Sequence, residues 1–177
     1  MKNLIAAATA AVLLTACHGT TSRATTSESL LATAALQPTQ GNKAFGEATF
    51  EQVGDKVHVL VNAQGLKPNQ AHGFHIHEVG DCSAPDAMSA KGHFNPAGKP
   101  HGNPTSAEHH AGDLPALQAD KDGRAKLDTM VDGITLAPGP TSIIGRGLII
   151  HADPDDYTTQ PTGNSGARIA CGVIKAS

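Results

Sequence analysis

The chain is expected to be all-β, folded as an antiparallel sandwich or flattened barrel. Three observations predict this. Short runs alternate apolar and polar residues at period two; turns rich in Gly, Pro, Asp and Asn separate those runs; and no stretch longer than a few turns holds a convincing helical period. About residues 41–177 make one domain's length.

Residues 1–16 read as an export signal rather than as fold. Lys2 gives a positive start, and Leu4 to Leu14 is an apolar run too short to span a bilayer permanently. Leu14-Thr15-Ala16-Cys17 resembles the lipobox of bacterial lipoproteins, in which the cysteine becomes the lipidated first residue of the mature chain. An ordinary signal peptide with an incidental Cys17 is the alternative. The lipobox implies a lipid anchor on Cys17 in a bacterial cell envelope, facing the periplasm. No aspartate follows Cys17, which favours outer-membrane delivery over inner-membrane retention. Residues 17–40, rich in Ser, Thr and Ala, read as a flexible tether, and His18 within them is given no role.

The domain's elements follow in order. Ala44 to Glu51 and Lys56 to Ala63 flank Val53-Gly54-Asp55 and read as a hairpin with Val57, Val59 and Val61 on one face. Leu66-Lys67-Pro68-Asn69 breaks the chain, and Ala71 to Glu78 reads as another strand. Leu114 to Ala119 and Ala125 to Met130, around the turn Lys121-Asp122-Gly123, read as a second hairpin. Ile143 to His151 and Arg168 to Ile174 are strongly apolar. Val79 to Asp113 and Ala152 to Ala167 are irregular and Pro/Gly-punctuated. Loops that long inside a compact domain are usually functional.

The chain has three cysteines. If Cys17 carries lipid, Cys82 and Cys171 remain as a pair in an oxidising compartment, where a disulfide is the default. It would close a loop of about ninety residues, worth about 4 to 5 kcal/mol in the chain-entropy model. Two buried free thiols are the alternative. The net charge of -3, with no basic patch, argues against nucleic acid as a partner.

Ten histidines stand in a chain with one tyrosine and no tryptophan. Neutral imidazole suits copper and zinc, and one carboxylate beside several imidazoles suits zinc. His75 and His77 are two apart on a strand, so both rings face the same side. That pair alone is a weak signal, because paired histidines occur by chance in cores and on surfaces. His93, His101, His110 and Asp113 would complete a closed, four-coordinate site. His151 ends an apolar strand, where it could join His75 and His77. His72 falls on the opposite strand phase and reads as structural; His58 reads as a strand-surface residue; the residues alone do not separate His109 from His110.

Gly73-Phe74-His75-Ile76-His77-Glu78, Gly92-His93-Phe94-Asn95-Pro96 and the run from Gly163 to Ile174 resemble the copper/zinc superoxide dismutase family. The likeness runs from about residue 44 to 175, with each motif in family order and spacing. It implies a Greek-key sandwich or flattened barrel of about eight strands with two long functional loops. It implies an oxidoreductase that disproportionates superoxide to dioxygen and hydrogen peroxide, by alternating reduction and reoxidation of copper bridged to zinc through His93. By motif, copper would be held by His75, His77, His93 and His151, and zinc by His93, His101, His110 and Asp113; the spacing from His101 favours His110 over His109. Arg168 would stand beside copper with His93 as the catalytic pair, and Asp155 would link a copper histidine to a zinc histidine. Cys82 and Cys171 match the family's intrasubunit disulfide.

Two readings compete with an enzyme of this kind. A copper-buffering protein on the same fold has no need of Arg168, and a zinc hydrolase lacks a spare base in a recognised motif. One departure from the family stands out: Thr158 to Ala167 has no lysine or acid, so the positive field would fall to Lys91, Lys99 or Arg146. The resemblance is compatible with a monomer and with a homodimer, since relatives differ in their dimer contacts.

Overall fold

The computed structural model describes residues 29–177. The expected leader, Cys17 and the first part of the tether lie outside the described residues. Ten strands occur among the described residues: β1 Leu31–Pro38, β2 Phe45–Val53, β3 Lys56–Gln64, β4 Ala71–His72, β5 Phe74–His77, β6 Leu117–Gln118, β7 Ala125–Val131, β8 Gly147–His151, β9 Arg168–Val173 and β10 Lys175–Ala176. The domain is all-β, and its one helical element is the 3-10 turn Met88–Ala90.

Strand β1 corrects the sequence expectation. The tether was expected to run to residue 40, yet Leu31–Pro38 is paired with β2, β9 and β10. Ala32, Ala34 and Leu36 alternate inward and are buried. The alternation is carried by alanines, whose low strand preference hides the pattern.

The β2–β3 hairpin forms as the alternation predicts. Val53 pairs with Lys56 across Gly54-Asp55, with Gly54 at φ 62, a left-handed conformation that favours glycine. Val57, Val59 and Val61 all face the core. The second expected hairpin does not form. Its turn closes as read, since the Asp120 carboxylate accepts the N–H groups of Asp122 and Arg124. The flanking strands then diverge: β6 pairs with β4, and β7 pairs along its whole length with β3. Seven register pairs with β3, Val61 against Leu127 among them, outweigh what the two-residue β6 offers.

The main sheet runs β5-β8-β9-β1-β2-β3-β7, with β10 beside β1. After β3 the chain crosses to the far edge at β5, a Greek-key type of connection. The curled sheet encloses Phe50, Leu36, Phe74, Ile76, Leu148, Ile150 and Ile174. Each such burial contributes about 1.5 to 3 kcal/mol. A smaller cluster of Ala87, Ala90, Ile149 and Cys171 packs the loop after β5 onto the outer face of β8 and β9. Cys82 and Cys171 form a disulfide with a Cα–Cα separation of 5.8 Å, fixing that loop to β9.

Both faces of β5 and β8 are therefore covered, one by the core and one by loops. Phe74 and Ile76 point inward, so His75 and His77 point out beneath the loops.

Candidate metal centre

The free edge of β5 assembles the site. Phe94 N–H donates to Ile76 O at 2.8 Å, Ile76 N–H to Gly112 O at 2.9 Å, and Gly112 N–H to Phe94 O at 2.9 Å. These bonds lay two distant pieces of the long loop along one strand. His93 comes opposite His77 and Asp113 opposite His75. Gly112 is required there, because a Cβ would overlap Ile76 O. On the other edge, a register shift between Ile150 and His151 turns His151 toward the same space and sets it against Arg168.

Two groups of side chains converge. His75, His77, His93 and His151 offer ligand atoms within 4.8 Å of one another, and so do His93, His101, His110 and Asp113. All seven residues are buried, and His93 belongs to both groups. The His75 and His93 rings stack with centroids 3.9 Å apart. In the first group His77 Nε2 and His151 Nε2 are 3.4 Å apart. In the second, Asp113 Oδ1 lies 2.8 Å from His93 Nδ1 and 3.3 Å from His110 Nδ1, while Asp113 Oδ2 lies 3.1 Å from His101 Nδ1.

The donor set fits two cations. His75 Nδ1, His93 Nε2 and His101 Nδ1 are buried without a hydrogen-bond partner, the last lying near Asp113 in a direction that makes no hydrogen bond. Each such orphan costs about 1 to 3 kcal/mol unless something pairs with it. Burial, then the neighbouring rings, holds His75, His77 and His151 well below the usual imidazole range, which keeps them neutral and able to ligate. Burial also lowers His93, against the pull of Asp113. Asp113 is pushed up by burial but drawn further down by hydrogen bonds from His110 and His93, so it stays ionised.

The remaining ring nitrogens are spoken for by the protein. His75 Nε2 donates to Asp155 Oδ2 at 2.6 Å, and His101 Nε2 to Asp155 Oδ1 at 2.9 Å. His77 Nδ1 donates to Lys91 O at 2.8 Å and His151 Nδ1 to Gly166 O at 3.3 Å. Fixing the outer nitrogen fixes the tautomer and aims the inner one. Gly163, at φ 68, abuts the Asp155–His101 pair, and a Cβ there would overlap Asp155 Oδ1.

Arg168 opens β9 and is half-buried. Its guanidinium donates to Ala87 O at 2.7 Å and also to Lys91 O, the same carbonyl that holds His77. Lys91 sits at φ 61 and Ala87 at φ 58, strained backbone costing about 1 to 3 kcal/mol each. A cavity of about 680 Å³ opens over this corner, lined by Thr39, Asp86, His77, His151, Thr162 and Arg168. Lys99 is tied to Ala107 O at 2.7 Å, and Arg146 lies 3.5 Å over the Phe94 ring. Neither lines the cavity.

Other histidines stay out of both groups. His72 is buried with Nδ1 2.8 Å from His151 O; His109 bonds His110 O at 2.6 Å; His58 pairs with Asp128 at 2.7 Å on the strand surface. Sequence reasoning missed the carbonyl anchors at Lys91 and Gly166, since a main-chain oxygen leaves no residue-type signal. It also missed Gln160, whose amide pairs with the main chain of His101.

A family model described as "Copper/zinc superoxide dismutase (SODC)" matches residues 44–174. The chain is 42% identical over 153 residues to "Superoxide dismutase [Cu-Zn] 2" of Aquifex aeolicus (strain VF5), covering 84% of this chain and 89% of that one. It is 44% identical over 135 residues to "Superoxide dismutase [Cu-Zn]" of Paramecium bursaria Chlorella virus 1, covering 73% of this chain and 71% of the other. Among solved structures it is similar to one titled "Crystal Structure Analysis of the clock protein EA4", with a TM-score of 0.74 and 41% identity, over 82% of this chain and 93% of that one.

Proposed function

The chain belongs to the copper/zinc superoxide dismutase family, and on that premise we propose a division of labour within its two histidine groups. The protein is a superoxide dismutase whose cofactors are copper and zinc. His75, His77, His93 and His151 hold copper; His93, His101, His110 and Asp113 hold zinc. The observation carrying this is His93, the one side chain common to both groups, whose Nδ1 faces Asp113 and whose buried Nε2 has no protein partner.

Copper, when bound, supplies the redox chemistry: one superoxide gives up an electron and leaves as dioxygen, and a second gains an electron and two protons and leaves as hydrogen peroxide. This chain's residues do the rest. Arg168 draws the anion to the cavity and donates to it. His93 Nε2 takes a proton and passes it on, while Asp113 and the zinc side hold the ring in place. Asp155 keeps His75 and His101 in register with each other. The buried walls keep water away from all but the open corner.

Protein loaded with both metals is expected to accelerate superoxide decay. Its Cu(II) electron paramagnetic resonance spectrum is expected to report four nitrogen donors and to change when zinc is withdrawn. A spectrum indifferent to zinc would overturn the shared ring, and a loaded protein inert to superoxide would point to copper storage instead.

The same reading extends to location. The short apolar run Leu4 to Leu14, followed by Leu14-Thr15-Ala16-Cys17, supports a lipid anchor on Cys17 that holds the enzyme at a bacterial envelope membrane, facing the periplasm. Cys17→Ser is expected to move activity from the membrane pellet to the soluble fraction. Unaltered sedimentation would mean that something other than this cysteine tethers the protein.

A further inference from the structure

His101 lies in the long loop with no strand around it, yet it is only 3% exposed. A buried main chain needs partners for its N–H and C=O. Both come from one side chain. His101 N–H donates to Gln160 Oε1 at 2.9 Å, and Gln160 Nε2 donates to His101 O at 2.9 Å. Among the described residues no other hydrogen bond reaches either group. The amide thus does what a neighbouring strand would do, in the reciprocal pattern of an antiparallel pair. Gln160 also donates to Thr158 O at 3.3 Å, which steadies its own loop. Five residues earlier in that loop, Asp155 holds the His101 ring.

We propose that Gln160 is a positioning residue for the zinc site: it clasps the His101 main chain, so that His101 swings away from zinc only when the loop of residues 152–167 lets go. The inference rests on the assignment of His101 to zinc given above. Among the described residues the Gln160 side chain hydrogen-bonds no member of the two metal groups except His101, at its main chain, and the residue is exposed. Ring and backbone of one ligand are gripped from a single loop, so loosening either hold frees the residue to rotate.

The test uses the full chain loaded with copper and zinc. Gln160→Met keeps the length of the side chain and removes all three of its hydrogen bonds, the two to His101 among them; Gln160→Glu keeps only the acceptor. Zinc transfer to a chromogenic chelator is followed over time, with amide hydrogen exchange at His101. Gln160→Met is expected to release zinc about tenfold faster, within the range seen when a partner behind a metal ligand is lost. Gln160→Glu is expected to fall between it and the unmodified protein. Copper spectra before zinc loss are expected to be unchanged. Thr158→Val, which removes only a contact to Asp156 in the same loop, is expected to release zinc at the unmodified rate. Equal release from Gln160→Met and the unmodified protein, or equally fast release from Thr158→Val, overturns the clasp. His101→Ala separates the two levels of inference: zinc held as tightly without that ring would overturn the ligand assignment itself. In the unmodified protein, zinc loading is expected to slow exchange at the His101 amide, and slowing absent there would also count against the clasp.

Discussion

His93→Ala is expected to abolish dismutation and to weaken zinc binding in the same protein. Among the described residues no other side chain belongs to both groups; Asp155 reaches both, but only from behind the rings of His75 and His101. On the zinc side three donors remain, and Asp113 loses the 2.8 Å contact to His93 Nδ1 that helps hold its carboxylate in place. Even an outer partner of a ligand is worth about 10- to 100-fold in metal affinity, so loss of a ligand is expected to cost at least about 100-fold. On the copper side the variant loses a donor and the carrier of a proton, and proton delivery alone is worth about 10²- to 10⁴-fold. The excised ring also leaves a hole beside His75, with which it stacks at 3.9 Å. Equilibrium dialysis against each metal, with superoxide decay followed by pulse radiolysis, checks the expectation. Activity lost with zinc affinity intact would confine His93 to copper and remove the bridge.

The physical reasons that some of this was legible in the sequence, and some was not, differ residue by residue. The β2–β3 hairpin could be read because Val57, Val59 and Val61 alternate strictly and Gly54 marks the turn. His75 and His77 could be read as a pair because the strand period sets their common face. Strand β1 could not, since its inward residues are mostly alanines. The second hairpin failed because local turn chemistry at Asp120 competes with a long-range partner, β3, that no local window contains. The approach of His93 and Asp113 to β5 is likewise a property of an uncovered strand edge: main-chain groups of residues 94 and 112 complete it, and glycine at 112 permits the contact. The anchors of His77 and His151 are carbonyl oxygens, available at every residue and therefore invisible by type. Gln160 stood in a Thr/Pro/Gly stretch as one more polar residue. What composition and spacing can mark is the ligand; what holds the ligand is mostly backbone.

Arg168→Ala is expected to lower kcat/KM for superoxide by about 10- to 100-fold while leaving both metals bound. The guanidinium reaches no ligand atom; it donates to Ala87 O and Lys91 O and faces the cavity shared with His77 and His151. A unit charge about 6 Å from an anion at an effective dielectric of about 20 contributes about 3 kcal/mol, or about 100-fold. Water at the open side screens part of that, which sets the lower figure. Burial lowers the Arg168 pKa somewhat, yet a guanidinium remains charged throughout the physiological range. Arg168→Lys separates charge from shape. It keeps a cation but not the fork that spans two carbonyls, so it is expected to recover part of the rate and to loosen Lys91 O, the acceptor for His77 Nδ1. Small changes in the Cu(II) spectrum of Arg168→Lys and Arg168→Ala would register that loosening. The salt dependence is a second readout. The loop from Thr158 to Ala167 carries no charge, and Lys99 and Arg146 do not line the cavity. Among the described residues Arg168 is thus the one cation lining it, and the fall of rate with ionic strength is expected to flatten in Arg168→Ala. A slope as steep as that of the unmodified protein would place the attracting charge elsewhere on the surface, with Lys91 the first residue to change.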